Sequence, residues 1–334
     1  MRFAKLTLTT RRFPGLVATG VAVLALSACS SSSLPTLTGF AAVRDQAART
    51  ESAASDRATQ LAEVATDCAS CSAALRAVAA ASDERLEALG GLWDPWGGTP
   101  PEGASAPAAV SEAPTDVSAF VTWLARTATR DLEIAADTNR TSADEARTLS
   151  AAALGRYASA VTIAQAYGID LDAGLDQALL INDRVNAASR QGVQTWSIDL
   201  FDAPAISASF APSGKDLASS QELSSAVATW DCTASTLPQA QVSAGTLTDA
   251  YAVSGELLTR ADTALRAGAA DTRTPRCTLG FLDAPSLASN LLAADSAMLV
   301  SNSSDLRSAG ASAALADIQQ WAPRTPLPAL IGTR

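Results

Sequence analysis

Histidine is missing from all 334 residues, and lysine occurs only at Lys5 and Lys215. Without imidazole nothing can activate a serine or cysteine nucleophile in the usual way, and no zinc site can use nitrogen ligands. Schiff-base chemistry beyond the first segment would rest on Lys215 alone. General acid–base work is left to carboxylates and tyrosines. Aromatic residues make up only 5% of the chain, and alanine dominates; that composition favours helices over sheets. No stretch reaches the roughly 20 apolar residues needed to cross a bilayer. A glycine-rich phosphate loop and a G-x-S-x-G nucleophile turn are also absent.

What is present first is a basic start (Arg2, Lys5, Arg11, Arg12), an eleven-residue apolar run from Leu16 to Leu26, and small residues before a cysteine. This is the pattern of a secretory signal. Leu26-Ser27-Ala28-Cys29 resembles the bacterial lipobox. The resemblance implies cleavage before Cys29 and a diacylglyceryl thioether on its sulfur, which would hold the protein to the membrane by lipid. Two or more acyl chains give a firm anchor where one gives a marginal one. The segment to Ala28 carries four positive side chains and no negative ones, so the remaining 306 residues move from the −10 of the whole chain to −14. So acidic a body repels phosphates and anionic headgroups at long range, which argues against nucleic acid as a partner.

Apolar spacing predicts an all-α protein of two packed helical-bundle subdomains. We expect a signal at 1–28, a tether at 29–40, an N-terminal bundle at 41–168, a helix and extended connector at 169–215, a C-terminal helical subdomain at 216–322 and a tail at 323–334. In the first bundle a helix at about 41–66 is followed by one on Leu75, Val78, Ala79, Ser82, Leu86 and Leu89, stopped by Gly90-Gly91. A third runs from Val117 to Ala135 with Thr115 as its N-cap. The fourth opens on Ser142 and Glu145, a capping-box pair, and ends at Gly168. In the second half, stripes near 172–190, 219–230 and 247–265 precede one interrupted or two short closing helices on Leu287–Met298 and Leu306–Ile318. Residues 92–114, with Pro95, Pro100, Pro101, Pro107 and Pro114, form a long Pro/Gly-rich loop. The tail, with Pro323, Pro326 and Pro328, is expected to wrap the surface or fray. No sequence repeat relates the halves.

Cys68-Ala69-Ser70-Cys71-Ser72-Ala73-Ala74-Leu75, Leu89-Gly90-Gly91-Leu92-Trp93-Asp94-Pro95-Trp96 and the alanine-rich helices behind a lipobox resemble a group of envelope lipoproteins from high-GC Gram-positive bacteria, some described as ferritin-like. The resemblance implies a four-helix first bundle. It carries no metal activity across, because ferritin-like centres need Glu-x-x-His pairs and this chain has no histidine. No metal site and no cofactor are expected.

Besides Cys29, four cysteines remain: Cys68, Cys71, Cys232 and Cys277. An even number in an exported chain points to two disulfides with three possible pairings. The simplest joins Cys68 to Cys71 and Cys232 to Cys277, and cross-pairing between the halves is its rival. Cys68/Cys71 as a redox centre and the four cysteines as a zinc site are weaker readings. Trp93 and Trp96 either stack on a ligand such as a cell-wall sugar or plug the end of the first bundle; the plug is favoured. Asp170, Asp172 and Asp176 fail the calcium-loop pattern, since glycine stands at the fifth position rather than the sixth. Asp83, Glu84, Arg85 and Glu87 read as a solvated helix face, and Glu256/Arg260 as an i,i+4 surface pair. No catalytic residues are assigned. These readings lead us to expect a lipid-anchored envelope protein with a non-catalytic binding or scaffold role, partnered by the membrane and by an envelope protein. A small-ligand carrier with an inter-helix pocket and a Cys68/Cys71 thiol redox protein are the alternatives.

Overall fold

The computed structural model describes residues 36–102, 104, 107–171, 210–214, 217–244, 250–277, 279 and 283–333, with the side chains of 240–244 excepted. The described residues are all-α, with eight helices in packed pairs. These are α1 (Phe40–Val64), α2 (Ala69–Ala88), α3 (Val117–Ala136), α4 (Ala143–Tyr167), α5 (Gln221–Ala244), α6 (Ala250–Ala267), α7 (Ala284–Met298) and α8 (Ser304–Trp321). A 3-10 turn at Leu217–Ser219 leads into α5. The lipobox with Cys29, the stripe near 172–190 and most of the 191–215 connector lie outside the described residues.

Local chemistry sets the helix ends. Ser142 and Glu145 form the expected capping box on α4, and Gly168 closes that helix in the left-handed region at φ 66°, where glycine meets no Cβ penalty. The N-cap of α3 is Asp116 rather than Thr115: its carboxylate accepts from the Ala119 N–H at 2.9 Å. The closing stretch forms two helices because Leu299 to Ser303 turn the chain, and Ser303 caps α8.

Each four-helix group has the same connectivity. In the first, α1 and α2 form a hairpin, and so do α3 and α4. The long 89–116 link climbs along α1. The Trp93 N–H bonds to Asp45 at 2.8 Å, Arg49 donates to the Ala108 carbonyl at 2.7 Å, and Arg57 donates to the Ala113 carbonyl at 2.9 Å. Because the link ascends α1, α3 starts at the end where α2 starts, and the two run parallel. In the second group the chain from 268 to 277 climbs α5: Thr272 donates to the Ser224 carbonyl at 2.8 Å, and Cys277 bonds to Cys232. Hydrogen bonds fasten the first link and a covalent bond the second.

The second group has an apolar cluster of its own around Trp230, Leu257 and Leu291, and another joins the two groups. A single apolar cluster runs from Leu75, Phe120, Leu124 and Leu154 in the first group to Leu292, Leu299 and Ile318 in the second. Helix α8 lies against both α3 and α4. Covered on several sides, α4 is buried almost continuously from Leu149 to Ala164; a helix with small and apolar residues all round is one built for the interior.

The tail does not fray. Ile331 is 2% exposed, its N–H bonds to the Ala151 carbonyl at 3.2 Å, and Ala329 lies over Gly155 of α4. A Cβ at Gly155 would run into the Ala329 carbonyl and sit 3.3 Å from Arg85 Cδ, so only glycine lets the tail pass. Gly155→Ala is expected to cost about 1–3 kcal/mol, the range for forcing extra volume into a packed site. Limited proteolysis should then cut within 323–333 faster than in the parent.

Candidate functional site

Four charged side chains, one from each helix of the first group, meet at its centre. Arg156 of α4 donates to Glu51 of α1 at 2.7 Å and to Asp131 of α3 at 2.7 Å. Arg85 of α2 donates to the other Glu51 oxygen at 2.8 Å, to Ser82 at 2.9 Å and to Ser159 at 3.3 Å. None of the four is more than 2% exposed. The four buried side chains balance in charge, and a third guanidinium at the rim, Arg130, also donates to Asp131 at 2.8 Å. Burial alone would pull the Arg156 guanidinium down, but Glu51 and Asp131 more than reverse it. The charges are held by geometry rather than by solvent.

The second group repeats the plan with other residues. Arg260 of α6 makes a two-pronged contact with Asp317 of α8, both bonds 2.9 Å. Its guanidinium stands 5.4 Å from the centroid of the Trp230 ring on α5, within cation–π range. The Trp230 indole N–H donates to Asp295 of α7 at 2.9 Å, and the second Asp295 oxygen lies 3.9 Å from Arg260. Here one cation faces two carboxyls. Burial, with Asp317 beside it, therefore raises Asp295 well above the usual carboxylate range, so it keeps its proton longer than an exposed aspartate.

A raised native value has a signed consequence. With an unfolded value near 3.9, the native state binds the extra proton, so stability falls by about 1.4 kcal/mol per pH unit from roughly pH 4 up to the native value. Asp295→Asn should remove that slope, since an amide does not titrate, while its oxygen still accepts from Trp230. Urea unfolding of both proteins at pH 4.5, 5.5 and 6.5 checks this, and a constant offset between them would contradict it.

Most of these residues escaped the sequence reading. Arg85 is buried between exposed Asp83, Glu84 and Glu87, and Arg260 turns inward to Asp317, while Glu256 faces solvent. A signal existed: Arg85 falls on the buried stripe of Leu75, Val78, Ser82 and Leu89, and Arg156 and Asp131 fall on theirs.

The expected cysteine pairing is present, with Cα–Cα distances of 5.2 Å for Cys68–Cys71 and 5.3 Å for Cys232–Cys277. Both lie in the range a disulfide needs. Trp93 and Trp96 are half-buried and belong to none of the three apolar clusters. The end of the bundle beside them is closed by Val43, Leu89, Ile134 and Leu149.

No family model, curated protein or solved structure matches this chain. No family is thereby identified. Among the described residues no group of three or more His, Cys, Asp or Glu side chains is placed to hold a metal ion, and no helix is long and apolar enough to cross a membrane. The first centre pairs opposite charges across four helices, and the second pairs them across three, with Trp230 supplied by the fourth.

Proposed function

We propose that the chain is an exported lipoprotein, anchored through Cys29, that scaffolds or docks another macromolecule at the cell envelope without catalysing a reaction. The observation that carries the reading is the closure of the first bundle's centre. Glu51, Arg85, Asp131 and Arg156 are paired with one another, and Asp131 with Arg130 as well, which leaves the acidic outer faces as the surface for a partner. A tether of about twelve residues reaches roughly 40 Å at full extension, which would keep the body near the bilayer. The hairpin–crossover–hairpin order of the first group supports the likeness to ferritin-like lipoproteins, with ion pairs where such bundles carry metal ligands.

Two measurements test this. An alkyne-tagged palmitate fed to the native host should label the protein, and Cys29→Ala should abolish the label and release the protein from membranes. Cross-linking in intact cells should then recover a protein partner. An unlabelled, membrane-free protein would remove the anchor, and an empty partner list would remove the scaffold.

The second group favours one other reading. Thr233 Oγ1 on α5 and Trp321 Nε1 on α8 are buried without a hydrogen-bond partner. Buried polar atoms are seldom left so, and a small polar ligand held between helices would satisfy them. Native mass spectrometry of gently purified protein distinguishes this carrier from the scaffold by a retained mass.

A further inference from the structure

We infer that Cys68–Cys71 is an exchangeable disulfide, with Cys68 as the sulfur that meets a dithiol-bearing protein partner and Cys71 as the buried sulfur that leaves when Cys68 is attacked. This goes beyond the scaffold reading and rests on a difference between the two sulfurs. Cys68 is the N-cap of α2 and is half-buried, so a partner can reach it. Its Sγ accepts from the Cys71 N–H at 3.2 Å and has the Ser70 hydroxyl at 3.4 Å. The first turn of α2 holds no acidic side chain. Two donors and a helix N-terminus favour a thiolate. Cys71 is 3% exposed, and its Sγ lies 3.4 Å from the Ala166 carbonyl on α4. That acceptor suits a protonated thiol and opposes a thiolate. One sulfur is built to carry charge and the other to keep its proton.

The exchange balances from the disulfide present. A partner thiolate attacks Cys68 Sγ, the Cys68–Cys71 bond breaks, and Cys71 leaves and takes a proton, its S–H turned toward the Ala166 carbonyl. The partner's second thiolate then attacks the partner sulfur of the mixed disulfide. Cys68 leaves as a thiolate held by the Cys71 N–H and Ser70. The partner loses two electrons and two protons and gains a disulfide. Cys68 and Cys71 take the electrons, Cys71 keeps one proton, and solvent takes the other. Access to Cys68 and the proton taken up by Cys71 as it leaves govern the first step, and the stability of the Cys68 thiolate governs the second.

The test uses the full chain carrying Cys29→Ser, with glutathione as the probe. In buffers of graded oxidised and reduced glutathione, mass mapping reads each disulfide separately. Cys68–Cys71 is expected to become half-reduced at a ratio at least ~10-fold more oxidising than Cys232–Cys277. In the Cys71→Ser background, oxidised glutathione should add to Cys68 at least ~10-fold faster than it adds to Cys71 in the Cys68→Ser background. Less than tenfold in either comparison overturns the inference. The glutathione titration needs neither of these two variants, so a misfolded variant leaves it decisive. Neither arm depends on the lipid anchor, so the inference can fail while the scaffold reading stands.

Discussion

Arg156→Leu is expected to cost the fold about 3–5 kcal/mol, the usual loss when one member of a buried ion cluster is removed. The change removes one of the two guanidinium partners of Asp131, which keeps Arg130 at 2.8 Å, and it leaves Glu51 with Arg85 as its one remaining charged partner. Against the 5–15 kcal/mol that holds a typical domain together, such a loss brings the first group near unfolding. Urea unfolding followed by circular dichroism would measure it. The matching control replaces the whole cluster, Glu51→Leu, Arg85→Met, Asp131→Leu and Arg156→Met together. That protein should be no less stable than the parent, because apolar substitutes of similar volume avoid desolvating four charges. If the single and the quadruple variants lose the same amount, the cluster's role is packing rather than charge pairing.

The second large effect is expected from the Cys232–Cys277 bond. It closes 46 residues, counted from its sequence separation of 45, and Cys232→Ser with Cys277→Ser should lose on the order of 4 kcal/mol by the chain-entropy estimate. The link along α5 would then hang on the Thr272–Ser224 hydrogen bond and the contact of Arg273 with Asp231 at 3.6 Å. Hydrogen exchange should show the 268–283 link and the start of α7 opening first, ahead of α5 and α6. The four-residue Cys68–Cys71 ring constrains far less chain, so the same estimate gives about 2 kcal/mol there. Equal losses at the two bonds would mean that the link is fastened mainly by its packing.

The helices were legible because their ends carry local chemistry. Ser142 with Glu145, Gly168, and Gly90-Gly91 after Leu89 all fall where the chain turns. Two disulfides were legible from the even number of cysteines, but their pairing was left among three possibilities, of which the simplest, Cys68–Cys71 with Cys232–Cys277, is the one observed. The polar centres were not, because a charged residue on an alanine-rich helix reads as solvated unless its position is checked against the buried stripe. Glu51, Asp131, Asp295 and Asp317 each sit among Ala, Leu or Thr neighbours that are themselves buried. Partners 25 to 105 residues away in the chain decide their burial, and spacing along one helix does not report such distances. The shared connectivity of the two groups was hidden for a related reason. It lies in the course of the links, which side chains as different as Arg57 and Cys277 secure.

Arg307, on α8, reaches out of its own group. It donates to the Ser301 carbonyl at 2.5 Å, to the Ala135 carbonyl at 2.9 Å and to Thr141 through both its carbonyl and its hydroxyl, at 3.1 and 2.9 Å. At 1% exposure, it cannot leave the end of α3 without taking a guanidinium through an apolar seam and baring the carbonyls it satisfied. Calorimetry should therefore record a single cooperative endotherm for a molecule whose outline is that of two bundles. Loosening either half by mutation would lower one shared melting temperature rather than split the peak.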